Sequence, residues 1–200
     1  MVIPPATEID PWASVEPDRA WNTLSPEAKH ERILSAAGRL FSTEGLDAPM
    51  PAVAAMAGAG VGSLYRQFPS KRDLLAALVV RRLEQIHDAA IEAAARPGSH
   101  WEALCDMLLT IVERQHGDDF LGEAWAHVGD HEDVAAAADR ALKALDQLLS
   151  AAQAEGRARP DATTFDIRLI FNATRAAKQV EPEAWRRMLA LLLDGLAARR

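Results

Sequence analysis

The chain has 200 residues, 49% of them hydrophobic and 26% charged, with a net charge of −7 and a single cysteine. That length buries a core of roughly 70% of the unfolded surface without a metal or disulfide staple, and Cys105 has no internal partner for a bridge. Abundant Ala, Leu, Arg and Glu, with few β-branched or aromatic runs, exclude a sheet protein, while an N-terminus without a basic step or apolar signal core, and apolar runs such as Leu189 to Leu193 that are far shorter than a membrane span, argue against a leader or a span, so the expectation is an all-α, cytoplasmic protein with no membrane partner.

Residues 1–25 hold four prolines and no period, and are expected to form a flexible arm. Trp12 and Trp21 are its large apolar groups. Docking on the protein's own surface is preferred for them over capture of a partner, because an indole left in water is unfavourable.

Helix signals begin at Ser25-Pro26-Glu27, an N-cap followed by proline at the first helical position and an acid in the first turn. Ile33, Leu34, Ala37, Leu40 and Phe41 then recur at helical spacing until Gly45. Pro49 and Pro51 start a short second helix, because the first N–H groups of a helix have no partner to lose, and Gly58 and Gly60 stop it. "VGSLYRQF" forms a third helix, and Ser70 with Asp73 makes a capping box that launches a fourth to about Ala95.

Beyond Pro97-Gly98, Ser99 and Glu102 open a helix to about Gln115, and Asp118 or Asp119 opens another around Phe120 to His127. A long helix runs from about Glu132 to Glu155 and ends at Gly156. Thr163 or Thr164 caps a helix to about Gln179, and Pro182 starts a last one with a stripe of Trp185, Met188, Leu189, Leu192 and Leu196. About nine helices and no strand are predicted, as an N-terminal three-helix domain followed by a larger helical domain.

Two short helices joined by a tight glycine turn and braced by a preceding helix describe a helix-turn-helix. Val53, Ala57, Leu64 and Phe68 face inward toward Phe41. Ser63, Tyr65, Arg66 and Gln67 face outward with hydrogen-bonding groups, as phosphates and base edges require, and small residues elsewhere let the helix enter a major groove. Charge distribution agrees: residues 26–72 carry six bases against four acids (+2), whereas residues 1–25 carry one against four (−3) and residues 73–200 carry fifteen against twenty-one (−6). The acidic total argues against nucleic acid as a partner; the basic segment reverses that locally.

Arg32 to Gly45 and Ala57 to Lys71 resemble the TetR/AcrR family, whose pattern joins an "RIL-x-AA-x-x-LF-x-x-x-G" helix to an "AG-x-x-x-G-[ST]-LY-x-[HQ]-F-x-[ST]-[KR]" turn and helix. These segments cover about a seventh of the chain. "GRARPDATTFDIRLIF" and "AWRRMLALLLDGL" also look like the dimerising end of one branch of the family. The resemblance implies a ligand-responsive transcriptional repressor, a homodimer on a palindromic operator in double-stranded DNA. Residues 26–72 would bind DNA through Ser63, Tyr65, Arg66, Gln67 and Lys71. Residues 73–200 would sense a small apolar or amphipathic effector with some of Trp101, Cys105, Leu108, Phe120, Trp125, Phe171, Asn172 and Arg175. Trp185, Met188, Leu189, Leu192 and Leu196 would form the dimer interface.

Three departures weaken the expected readout. Ala48 stands where the family commonly caps the second helix with Thr, Ala59 replaces a larger Val, and Gly60 and Val61 give the third helix no polar base contact at its start. A helical small-molecule binder with a decayed helix-turn-helix is therefore a second reading, and an adaptor acting through the Trp-bearing arm a third.

No Ser/His/Asp set, phosphate loop or carboxylate pair has diagnostic spacing, so an enzyme is not expected, nor a cofactor. His127 and His131 are four apart, but Gly129-Asp130 breaks their helix and no HExxH occurs, so they are read as surface or pocket histidines instead of metal ligands. Cys105 shares an apolar helix face with Trp101, Leu104 and Leu108 and is read as a small buried group, not a redox sensor.

Overall fold

The structure, a computed structural model, describes residue 12 and residues 20–114 and 119–198. Among the described residues there are nine α-helices, no β-strand, and one 3-10 turn at Trp21–Thr23 that the sequence reading left within the arm. The helices are α1 (Pro26–Glu44), α2 (Met50–Ala57), α3 (Val61–Gln67), α4 (Lys71–Ala95), α5 (His100–Arg114), α6 (Asp119–Val128), α7 (Glu132–Ala154), α8 (Thr164–Lys178) and α9 (Ala184–Leu196). Of the two acids proposed to open α6, Asp118 lies outside the described residues.

Most boundaries follow from local chemistry. Ser25 Oγ accepts the Ala28 N–H at 3.1 Å at the head of α1. Ser70 and Asp73 exchange bonds at the head of α4, with Ser70 N–H donating to Asp73 Oδ2 at 2.9 Å and Asp73 N–H to Ser70 Oγ at 3.2 Å. Thr163 and Asp166 form the same box on α8. Gly58 closes α2 in the left-handed region at φ 66°, ψ 26°, which a side chain would strain. α9 begins at Ala184, two residues past Pro182, because residues 182 and 183 form a turn.

Backbone contacts divide the chain into two compact units. One takes its described residues from Ile9–Arg82 and Gly117–Ala136, and so joins α1, α2, α3, the start of α4 and α6. The expected boundary at residue 72 carried no hint that α6, remote in sequence, packs with α1. The core of this unit is Ile33, Ala37, Phe41, Val53, Ala57, Leu64 and Phe68, all buried, with Phe120 of α6 against Phe41 at a ring separation of 5.9 Å.

Trp12 belongs to the same core. It is 5% exposed, 5.7 Å from the Phe120 ring, with the Arg81 guanidinium 5.3 Å over its indole. A Cβ on Gly38 would fall inside that indole, so the glycine in mid-α1 makes room for the ring.

The other unit takes residues from Leu83–His116 and Ala137–Arg200, with a core of Leu104, Leu108, Val112, Leu148, Leu149, Ile167, Trp185 and Leu189. One of its caps comes from far along the chain. Glu155, just past α7, accepts from the Ser99 hydroxyl at 2.9 Å and from the His100 and Trp101 N–H groups at 2.8 and 3.3 Å, and so closes the N-terminus of α5. The His100 N–H, with the neighbouring donors, holds the Glu155 carboxyl down to about 2. Arg159 N–H to the Leu196 carbonyl at 3.0 Å and Ala198 N–H to the Arg157 carbonyl at 2.8 Å tie the turn after α7 to the end of α9.

Candidate nucleic-acid interface

α3 is a seven-residue helix buried along one line only, at Leu64, with Phe68 closing the turn that follows. Leu64, fully buried, fixes which side of α3 faces in and so which side faces out. By helical spacing the outermost positions are then Gly62 and Arg66, with Val61 and Tyr65 along one edge and Ser63 and Gln67 along the other. Exposure agrees: Val61, Gly62, Tyr65 and Arg66 are exposed, Ser63 and Gln67 half-buried.

The polar groups are partly organised in advance. Arg66 Nη2 donates to Ser63 Oγ at 3.0 Å, one turn back along the helix surface, which holds the guanidinium over the outer face. Tyr65 is 44% exposed. Ser63, Tyr65, Arg66 and Gln67 therefore lie on one short helix, and Lys71 follows four residues on at the head of α4.

Lys71 has a structural task as well. Its Nζ donates to the Ala48 carbonyl at 2.8 Å and sits 5.5 Å over the Phe41 ring, so one of three ammonium protons pins the start of α2 to the start of α4. The N-cap of α2 is Pro49, not Ala48 as the sequence reading had it: Pro49 holds extended angles of φ −79°, ψ 148°, and Ala48 is buried beneath. No side chain caps α2, and Lys71 takes the carbonyl just ahead of it.

A second contact set joins the head of α4 to the turn between α6 and α7. Arg72 Nη2 meets Asp130 Oδ1 at 2.7 Å, and its Nε donates to the His127 carbonyl at 3.4 Å. The Arg72 hydrogen bond holds the Asp130 carboxyl below its ordinary range. His131 Nε2 lies 3.8 Å from Asp73 Oδ1, the same carboxylate that caps α4. His127 thus contributes its backbone and His131 faces Asp73. Nothing in the sequence signalled the pairing of Arg72 with Asp130, which lie 58 residues apart and meet only because α6 belongs to this unit.

The candidate effector residues do not gather in one unit. Cys105 and Leu108 are buried in the core of the unit holding α5, α8 and α9, with Trp101 and Phe171 packed against it. Burial, with Asp106 and Glu102 adding to it, pushes the Cys105 thiol up to about 12, far from a reactive thiolate. Asn172 lies exposed on α8, where Arg175 Nη2 donates to its Oδ1 at 3.0 Å. Phe120 belongs to the other unit, against Trp12 and Phe41, and Trp125 of the same helix is 41% exposed.

The α9 stripe is divided. Trp185, Leu189 and Leu196 are buried in this chain's own core, and Met188 and Leu192 are half-buried. A periodic stripe marks the side of a helix that avoids water but not what covers it; here the chain's own α5, α7 and α8 do. The large apolar groups that α8 and α9 leave in solvent are Phe165, Leu169 and Leu191, with Val180 just beyond α8.

Among the described residues an all-helical architecture, with a short third helix presenting an Arg, a Tyr and a Ser from a glycine-turned pair and a lysine at the next helix head, has the build of a helix-turn-helix DNA-binding protein. Comparison with known proteins narrows the class. The family described as "Bacterial regulatory proteins, tetR family" matches residues 33–78, and "Transcriptional regulator SbtR-like, C-terminal domain" matches residues 97–198. The chain belongs to the TetR family of transcriptional regulators. It is 33% identical over 144 residues to the HTH-type transcriptional repressor KstR of Mycolicibacterium smegmatis, covering 69% of this chain and 71% of that one. KstR of Mycobacterium tuberculosis is 31% identical over 148 residues, 71% of this chain and 67% of that. Among solved structures, a TetR regulatory protein from Mycobacterium vanbaalenii aligns with TM-score 0.60 and 32% identity over 85% of this chain and 95% of its own, and a TetR regulator from Streptomyces coelicolor with TM-score 0.63 and 29% identity over 85% and 99%.

Proposed function

We propose that this chain is a transcriptional repressor that binds a palindromic operator as a homodimer and responds to a small apolar or amphipathic effector. Residues 26–72 serve as the DNA-binding part, residues 73–200 as the sensing and dimerising part, and residues 1–25 as an arm. The observation that carries the reading is the outer face of α3, where the paired Ser63 and Arg66, with Tyr65 and Gln67 beside them, stand on the +2 segment of a −7 chain. Tyr65 and Lys71 contact phosphates; Arg66, Gln67 and Ser63 face base edges. That its curated relatives are named repressors supports the direction of regulation.

Two heads about one DNA turn apart require a symmetric pair of chains. Phe165, Leu169 and Leu191 are the surface that α8 and α9 offer to a second copy, with Met188 and Leu192 at its edge. The effector acts only through its different affinity for two head spacings, so a ligand that binds both equally changes nothing.

The test is selection of the purified full chain against random duplex DNA at about physiological salt. A recovered palindrome supports the repressor and the dimer together. Retention without a shared motif removes sequence reading, and no retention favours a helical small-molecule binder whose head no longer reads DNA.

A further inference from the structure

We infer that His131 is a proton-operated link between the head of α4 and the head of α7, through which the chain holds DNA more tightly as pH falls through the imidazole range. The inference adds a regulatory input to the DNA-binding reading above and rests on that reading.

The first observation is that a titratable ring caps a helix. The His131 N–H donates to the Val128 carbonyl at 2.9 Å, and the His131 carbonyl accepts the Ala135 N–H at 3.0 Å, so the backbone is held on both sides and His131 stands at the N-cap of α7. Its Nδ1 accepts the Asp133 N–H at 3.3 Å, the bond that an Asn or Ser side chain ordinarily makes there. Only an unprotonated nitrogen accepts, so this bond belongs to the neutral ring.

The second observation is what waits for the proton. His131 Nε2 lies 3.8 Å from Asp73 Oδ1, and Nδ1 lies 3.7 Å from Asp133 Oδ2. The two oxygens of Asp73 have separate tasks. Oδ2 accepts the Ser70 N–H and hydroxyl at 2.9 and 2.7 Å, and Oδ1 is the one near His131. A proton on His131 therefore adds an ion pair to the α4 cap without taking a bond from it. The Ser70 hydroxyl first, and His131 in part, hold the Asp73 carboxyl below its ordinary range, so Asp73 stays ionised wherever an imidazole titrates.

The other charges of the junction are already engaged or carry the same sign. From α4 come Arg72 and Asp73, from α6 His127, from the turn Asp130, and from α7 Glu132 and Asp133. Arg72 meets Asp130 at 2.7 Å, Lys71 is turned to the Ala48 carbonyl, and His127 offers its carbonyl to Arg72. The positive end of α7 opposes an imidazolium, but it amounts to about half a charge, against two carboxylates within 4 Å. In the neutral state the ring caps α7. In the charged state it exchanges that bond for Asp73 and Asp133, and so offsets a negative charge two residues from Lys71, which raises the attraction of this head for phosphate.

The test compares the full wild-type chain with His131→Asn, a favoured N-cap that keeps the α7 bond and carries no proton. Fluorescence anisotropy on a selected duplex gives affinity at pH 6 and pH 8 at one salt concentration, and NMR follows the backbone amides of the free chain across the same range. The wild type binds more tightly at pH 6, by a ratio roughly fivefold larger than the variant's, on the order of one exposed ion pair per head. In the free wild-type chain the Asp133 amide loses its acceptor and moves in step with the His131 ring signal, whereas in His131→Asn it stays in place.

Equal pH ratios for the two chains, or an Asp133 amide indifferent to the His131 titration, overturn the inference and leave DNA binding intact. A chain that retains no duplex at either pH overturns the DNA-binding reading, and with it the effect of the proton on DNA.

Discussion

Replacing Gly38 by alanine tests the packing of the head unit by the sign of its effect. In a mid-helix position free of other contacts, Gly to Ala stabilises by about 1 kcal/mol. Here the new Cβ would enter the Trp12 ring, so the indole must leave its seat between α1, Arg81 and Phe120. An indole buries roughly 200 Å², about 5 kcal/mol at 25 cal/mol per Å², of which about 2 kcal/mol is returned as freedom of the released side chain and its backbone. The net loss of about 3 kcal/mol less the 1 kcal/mol helix gain leaves Gly38→Ala destabilising by about 2 kcal/mol, a fall of roughly 4–8 °C in Tm for a chain of this size. The assay is thermal and urea unfolding followed by helical circular dichroism at one protein concentration, in the wild-type and Trp12→Ala backgrounds. In the second background the seat is already empty, and Gly38→Ala should stabilise by about 1 kcal/mol. Stabilisation in the wild-type background would refute the seating of Trp12 over Gly38.

Other expectations follow from the same contacts. Glu155→Gln removes a carboxylate held at about 2 against an ordinary 4.5, whose stabilisation is complete above pH 4.5 and lost as pH falls through about 2; wild-type and variant melting temperatures should converge across that window and stay apart at pH 6. Lys71→Ala should weaken all DNA sequences alike and lower the salt slope of binding by about 2, one for each copy in the dimer, and also cost about 1 kcal/mol of stability through the lost Ala48 bond, whereas Gln67→Ala should shift preference among sequences without that loss. Phe165→Asp with Leu169→Asp should turn a dimer into a folded monomer in sedimentation, while Trp185→Ala should cost about 3–5 kcal/mol in unfolding because its ring is inside the chain.

What was legible in the sequence was local. Ser25, the Ser70–Asp73 and Thr163–Asp166 boxes, Gly58 and Gly156 each act within three or four residues, and each helix end they announced stands within two residues of its place. The outward set on α3 was equally readable, since one buried leucine fixes the face of a seven-residue helix. Long-range partners were not. Glu155 closes α5 from 55 residues away, Arg72 meets Asp130 across α6, and Gly38 has meaning only once Trp12 is seen in its place. Periodicity gave the α9 stripe but could not say whether a partner or the chain itself covers it, and for Trp185, Leu189 and Leu196 the chain does.

The central claim is that a basic, glycine-turned head makes this acidic chain a DNA-binding repressor. Its most direct test is the affinity of the full chain for a selected duplex, measured between about 50 and 200 mM salt. Phosphates neutralised by Lys71 and its symmetry mate require affinity to fall by roughly tenfold over that range, and each further phosphate neutralised by a basic side chain by about 3.5-fold more. Equal affinity at both ends of that range would contradict the account.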